Sequence, residues 1–138
     1  MKVVVDTSTM VSALLWSGIP HRVLVEAEHG MYSLYTSPAL IEELSGVLAR
    51  PKFISRLTML KITVDELMIG YIKLAHLILP VPIAPVIRED PDDDAVLACA
   101  VAAGASHIIS SDAHLLTLHR FQSIHIVSPH VFVHSVLS

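Results

Sequence analysis

Val3-Val4-Val5 constrains the fold of this chain more than any other run: a wholly apolar, β-branched triplet that ends on a carboxylate, Asp6. Such a run belongs in a strand buried on both faces of a parallel sheet. Thr7 and Ser8 can then cap a helix in which Met10, Val11, Leu14 and Leu15 recur at helical spacing, with Gly18 and Pro20 to end it. Strand, acid, cap and helix open an α/β unit, and the pattern returns along the chain. A second helix is expected over residues 21–29, stopped by Gly30, and Ser33-Leu34-Tyr35-Thr36 reads as a second strand. Ser37 caps the next helix, Pro38 suits its first turn, and Leu40, Ile41, Leu44, Val47 and Leu48 form one apolar stripe.

The stretch from Arg50 to Lys61 carries Phe53, Ile54, Leu57 and Leu60 and reads as a short helix with its cations outward. Thr63-Val64-Asp65-Glu66 has the capping-box pattern, and Leu67, Met68, Tyr71, Ile72, Ala75, Ile78 and Leu79 extend the helix that follows. Prolines demote residues 80–87 to an edge strand or an extended connection. His107-Ile108-Ile109-Ser110 reads as a buried strand, followed by Ser111, Asp112 and a short helix with Leu115, Leu116 and Leu118. Ile124-His125-Ile126-Val127 makes a last strand, and a terminal helix from about His130 closes the chain. Alternating strands and helices predict an α/β fold around a mainly parallel sheet of four or five strands, with residues 1–138 forming one domain.

The hydrophobic fraction is 53%, high for a water-soluble chain of 138 residues. No run of about eighteen apolar residues appears, and Asp6 interrupts the amino terminus too early for a signal peptide. The expectation is a cytoplasmic domain, not a membrane protein, that hides apolar surface in a partner or a homodimer. Cys99 is the single cysteine and sits in an alanine-rich segment, where it reads as a core thiol. The net charge of −4 is the wrong sign for a generic nucleic-acid binder, yet Arg50, Lys52, Arg56 and Lys61 gather four of the nine basic residues into twelve positions. That cluster reads as either a solvated face or a phosphate-contacting patch.

The acids are concentrated too. Glu89-Asp90-Pro91-Asp92-Asp93-Asp94 holds five of the thirteen carboxylates and runs directly into Ala95-Val96-Leu97-Ala98-Cys99-Ala100. Two readings are open: an acidic helix start, with Asp90 as N-cap and Pro91 in the first position, or a divalent-metal site. In an open parallel sheet, sites form beyond the carboxyl ends of the strands. Asp6 and Asp112 both fall there, and Glu43 lies at the edge of the apolar stripe of its helix, whereas Glu42 faces water. Four carboxylates sharing one cleft would raise their own pKa values or bind cations, and all-oxygen ligands suit Mg²⁺ or Mn²⁺. Such ions activate water and neutralise a phosphodiester, so nucleic-acid hydrolysis is the economical inference. Other chemistries lack their signatures. There is no glycine-rich dinucleotide or phosphate loop and no Gly-x-Ser-x-Gly elbow, and Ser8 stands where a haloacid-dehalogenase-type phosphatase needs a second Asp.

Four segments in order, Val-Val-Val-Asp6-Thr7-Ser8, Ser37 to Leu44 with its Arg50-Pro51-Lys52-Phe53 continuation, Asp90 to Asp94, and Ile109-Ser110-Ser111-Asp112-Ala113-His114-Leu115-Leu116, resemble the successive motifs of PIN-domain proteins. The likeness is to the branch of toxin components of toxin-antitoxin systems. It implies a three-layer α/β/α sandwich and a Mg²⁺- or Mn²⁺-dependent ribonuclease, often a dimer and often inhibited by a cognate antitoxin. It also implies catalytic acids Asp6, Glu43, Asp93 and Asp112, with Asp6, Asp93 and Asp112 as metal ligands; Asp93 is favoured over Asp94 by its distance to Gly104. Ser110 matches the small polar residue beside the last acid, and Ser8 replaces a frequent Asn while keeping a hydrogen-bonding group. RNA contacts would rest on Arg50, Lys52, Arg56 and Lys61, because Trp16, Tyr32 and Tyr35 are too scattered in sequence to form a stacking platform. His130 and His134 have the spacing of two ligands on one helix face but no third, and read as structural; His114 reads as a solvent-facing helix residue. The rival reading is a non-catalytic module of the same fold that acts through dimer or antitoxin binding.

Overall fold

The structure is a computed structural model, and it describes residues 1–81 and 91–138, with the side chains of Pro91 and Asp92 excepted. The chain runs β1 (Lys2–Val5), α1 (Thr7–Leu15), α2 (Ile19–Glu28), β2 (Ser33–Thr36), α3 (Pro38–Leu48), a 3₁₀ turn (Pro51–Phe53), α4 (Ile54–Leu60), α5 (Val64–Leu74) and β3 (His76–Leu77). It continues as α6 (Pro91–Ala103), β4 (His107–Ile109), α7 (Ala113–Leu118), β5 (Arg120–Phe121), β6 (Ile124–Val127) and α8 (Pro129–Val131), which passes into a π-helical turn, Phe132–Val136.

One sheet in the order β3-β2-β1-β4-β6-β5 holds these strands, parallel throughout except for the β5–β6 pair. From β1 the chain moves outward to β2 and β3, then returns to lay β4 on the other side of β1 and continues outward to β6. Strand order therefore reverses between β1 and β4, and the crevice beyond their carboxyl ends is where an open α/β sheet gathers a site. Alternation along β1 explains the layers. Val3 and Val5 join one apolar core with residues of α1, α2, α5 and the carboxyl-terminal turn, whereas Val4 points into the other with Val96, Leu97, Cys99 and Ala100 of α6 and Leu115 of α7. Helix α3 straddles the two: Leu40 belongs to the second core, and Leu44 and Leu48 to the first. The result is the expected helix–sheet–helix sandwich. Cys99 is buried as expected of a core thiol, and burial pushes its pKa up to about 11.

Local chemistry departs from expectation at four places. Asp6, not Thr7 or Ser8, caps α1: its Oδ1 accepts the Thr9 N–H at 2.9 Å, and the helix starts one residue earlier. Pro20 opens α2 instead of ending α1, because Gly18 at φ 118° makes the turn and proline is well suited to a helix's first turn. The capping box of Thr63 and Glu66 forms as predicted, but α5 ends at Leu74 and not at Leu79. There, tertiary pairing overrides the helical stripe: His76 and Leu77 pair with Tyr35 and Thr36, and the Tyr71 hydroxyl donates to Thr36 Oγ1 at 2.8 Å to fix the helix against the strand. This two-residue strand, with the short hairpin strand β5, brings the sheet to six instead of four or five. Pro91 begins α6 as expected; the proposed Asp90 cap and most of the proline-rich connection, residues 82–90, lie outside the described residues.

Candidate active site

Two strand ends and two helix starts converge at the β1–β4 switch point. Asp6 follows β1 and is only 4% exposed. Both of its oxygens are occupied: Oδ1 by the Thr9 N–H, and Oδ2 by the Ser110 hydroxyl in a short hydrogen bond. Ser110, wholly buried after β4, also accepts the Asp112 N–H at 2.9 Å, so one hydroxyl ties the first acid to the backbone of the last. Asp112 caps α7, its Oδ1 accepting the N–H groups of His114 at 2.7 Å and Leu115 at 3.3 Å. Burial raises the Asp6 pKa above its usual value; the hydrogen bonds from Ser110 and Thr9 oppose that rise, and the Asp112 charge adds to it.

Glu43 comes from the edge of α3 and is half-buried, while Glu42 faces solvent as its helical angle requires. Asp93, in the first turn of α6, is buried at 6% exposure, and its neighbour Asp94 is half-buried. Asp6, Glu43, Asp93 and Asp112, together with Thr7 and Ser8, line one cavity of about 100 Å³. Asp94 is not part of that lining. The space has room for an ion with part of its hydration shell.

Thr7 bears on whether an ion fits. Thr7 lines this cavity, and its Oγ1 is buried with no hydrogen-bond partner among the described residues. A buried hydroxyl without a partner costs about 1–3 kcal/mol unless something in the cavity satisfies it, and an ion's bound water would. The oxygen-rich donor set is of the kind that Mg²⁺ and Mn²⁺ use. Among the described residues, Asp93, Asp112 and His114 form a group whose potential ligand atoms all lie within 4.8 Å of one another.

The profile of the PIN domain matches residues 2–114. This chain belongs to the PIN-domain family. Among solved structures, a chain in the crystal structure of VapBC2 from Rickettsia felis, bound to a DNA fragment from their promoter, shares the fold at a TM-score of 0.60. The likeness covers 93% of this chain and 98% of that one at 14% identity. No curated protein matches the sequence.

Beside the acids of this PIN domain lies a second cavity of about 390 Å³, which shares Thr7, Ser8 and Glu43 with the first and is lined further by Trp16, Arg50 and Lys52. Of the four cations singled out in the sequence, Arg50 and Lys52 therefore border the site. Arg56 is held back from it: its Nε donates to the Leu15 carbonyl at 2.6 Å and its guanidinium lies 5.6 Å from the Trp16 ring centre. Lys61 caps α4 in a left-handed conformation and lines neither cavity. Three further residues lie near the acids. Trp16 is 43% exposed and meets Phe53 edge-on at 5.9 Å, which puts one exposed aromatic ring beside the acids, whereas Tyr32 and Tyr35 line neither cavity. Thr7 was read only as a cap. The His114 side chain is 53% exposed, as expected, and its Nδ1 lies 3.9 Å from Asp112 Oδ1. The His130 and His134 rings lie 4.5 Å apart, away from this cluster, in the carboxyl-terminal turn.

Proposed function

We propose that this PIN domain is a metal-dependent ribonuclease whose centre is the cavity of Asp6, Glu43, Asp93 and Asp112. The observation that carries the reading is the convergence of four carboxylates from four separate segments on one small cavity, which Thr7 also lines. Asp6, Asp93 and Asp112 would hold Mg²⁺ or Mn²⁺. The ion, when bound, supplies a lowered water pKa and neutralises charge on a phosphodiester.

The protein's own groups do the positioning. Ser110 fixes one Asp6 oxygen and, through the Asp112 N–H, keeps the two strand-end acids in register. Burial favours neutral Asp6, so a divalent cation is the partner that best stabilises its ionised form. Glu43 stands at the junction of the two cavities, where a carboxylate can accept a proton from an attacking water. Ser8, exposed at the same junction, can donate to a phosphate oxygen. Arg50 and Lys52 offer charge to the RNA backbone and Trp16 a face for an unpaired base, which favours single-stranded RNA.

A protein partner belongs to the same proposal. Exposed Ile69, Ile72, Leu77 and Leu79 offer apolar surface on and just beyond α5 and β3, suited to a homodimer or to a cognate antitoxin. No helix among the described residues is long and apolar enough to cross a membrane, and we assign the activity to the cytoplasm. The test is cleavage of single-stranded RNA by purified protein in Mn²⁺, repeated in EDTA and with Asp6→Asn. Cleavage lost in both controls supports the proposal; cleavage that survives both refutes it. A folded protein that binds its partner but neither metal nor RNA would instead be the non-catalytic module.

A further inference from the structure

We infer that His114 supplies a nitrogen ligand to the divalent ion of this cavity and makes the site prefer Mn²⁺ to Mg²⁺. The inference rests on the metal-centre reading above and adds to it a residue outside the four acids. Its basis is geometric. Asp93, Asp112 and His114 each offer one ligand atom, all within 4.8 Å of one another. Ligand atoms that share one ion with bonds of about 2.1 Å stand about 3–4.2 Å apart, so the three atoms must draw together, by up to about 1.8 Å where a pair stands at the 4.8 Å limit, to share one ion.

The ring is available for this. His114 Nδ1 lies 3.9 Å from Asp112 Oδ1, beyond hydrogen-bonding distance. The backbone beneath it is fixed, because the His114 N–H donates to that same carboxylate at 2.7 Å. The imidazole is thus carried on a main chain tied to an expected ligand, while a side chain 53% exposed can turn about its own torsions at low cost. Thr7, buried and unpartnered on the same cavity, is an independent sign that a ligand belongs there.

Chemistry then sets the preference. Mg²⁺ is a hard, octahedral ion that prefers oxygen and gives up its waters reluctantly. An imidazole nitrogen adds little to Mg²⁺ binding and more to that of a first-row transition ion, in the rising order from Mn²⁺ to Cu²⁺. Carboxylates suit both ions, so a nitrogen ligand is what adds a preference for Mn²⁺ to the four acids.

The experiment is calorimetric titration of the full chain, without a histidine tag, with MnCl₂ and separately with MgCl₂, alongside His114→Ala, and pulsed EPR of both proteins loaded with Mn²⁺. The expected result is nitrogen modulation of the Mn²⁺ signal in the wild type that disappears in His114→Ala. The Mn²⁺ Kd rises by at least about tenfold in that variant while the Mg²⁺ Kd stays within about twofold, since loss of even an outer partner of a metal ligand costs about 10–100-fold. Mn²⁺ binding without nitrogen modulation, equal in both proteins, overturns the role of His114 and leaves the four-acid centre standing. Failure of the folded wild type to bind either ion overturns both.

Discussion

Replacing Ser110 with Ala tests how the two strand-end acids are held together. Ser110 is wholly buried, donates to Asp6 and accepts the Asp112 N–H at 2.9 Å. The substitution removes a hydrogen bond to a buried ionised carboxylate, worth about 1.5–3 kcal/mol, and leaves a part-buried N–H that water can partly satisfy. A smaller gain from burying a methyl group instead of a hydroxyl offsets some of this, so the expected loss is about 2–3 kcal/mol. In a chain of this size that lowers Tm by about 6–12 °C. The sign of the pH dependence is also set. The Ser110 hydrogen bond favours ionised Asp6, so without it the already raised Asp6 pKa rises further. The stability gap between wild type and Ser110→Ala is then widest where Asp6 is ionised in both and narrows as pH falls through the folded-state pKa values. Urea denaturation in EDTA across a pH series measures it. A gap of only a few tenths of a kcal/mol at neutral pH, or one that widens on acidification, would refute the assigned role of Ser110.

The raised pKa of Asp6 makes a separate prediction for Asp6→Asn. A carboxyl whose folded pKa exceeds 3.8 contributes stability below that value and loses it as pH rises through the folded value. Metal-free Asp6→Asn is therefore more stable than wild type at pH 7, within the roughly 0.5–2 kcal/mol that single stabilising substitutions give. That advantage disappears in acid; a variant less stable than wild type in EDTA at neutral pH contradicts it. Trp16→Ala should weaken binding of a labelled single-stranded RNA, followed by fluorescence anisotropy in EDTA, by about 1–3 kcal/mol, the worth of one stacked base. An unchanged Kd would remove Trp16 from the RNA surface.

Much of this fold was legible because the chain writes its burial plainly. Val3-Val4-Val5 and His107 to Ile109 pair as parallel neighbours, and each delivers its acid at the strand's carboxyl end. Helical phase alone separated Glu43 from Glu42. What escaped were features decided by distant partners. The α5 stripe runs past Leu74 in sequence, yet pairing with β2 claims His76 and Leu77. Trp16 looked isolated because Phe53 and Arg56, its neighbours in space, lie almost forty residues further along the chain. His114 is solvent-facing as expected, but its nearness to Asp93, on another element, cannot be read from periodicity. Within the acidic stretch, sequence spacing left Asp93 and Asp94 close competitors, and it was the packing of α6 across the sheet end that put Asp93 in the cavity lining.

That last distinction allows the most direct test of the central claim. Asp93→Asn and Asp94→Asn make the same change in charge at adjacent positions of α6, one in the cavity lining and one outside it. A general electrostatic effect on RNA would alter both alike. Single-turnover cleavage of one single-stranded RNA in saturating Mn²⁺ should fall at least about a hundredfold in Asp93→Asn, the scale on which one charge-stabilising group acts, and stay within a few-fold of wild type in Asp94→Asn. Equal losses, or a greater loss at Asp94, would contradict the claim that this cavity is the nuclease centre.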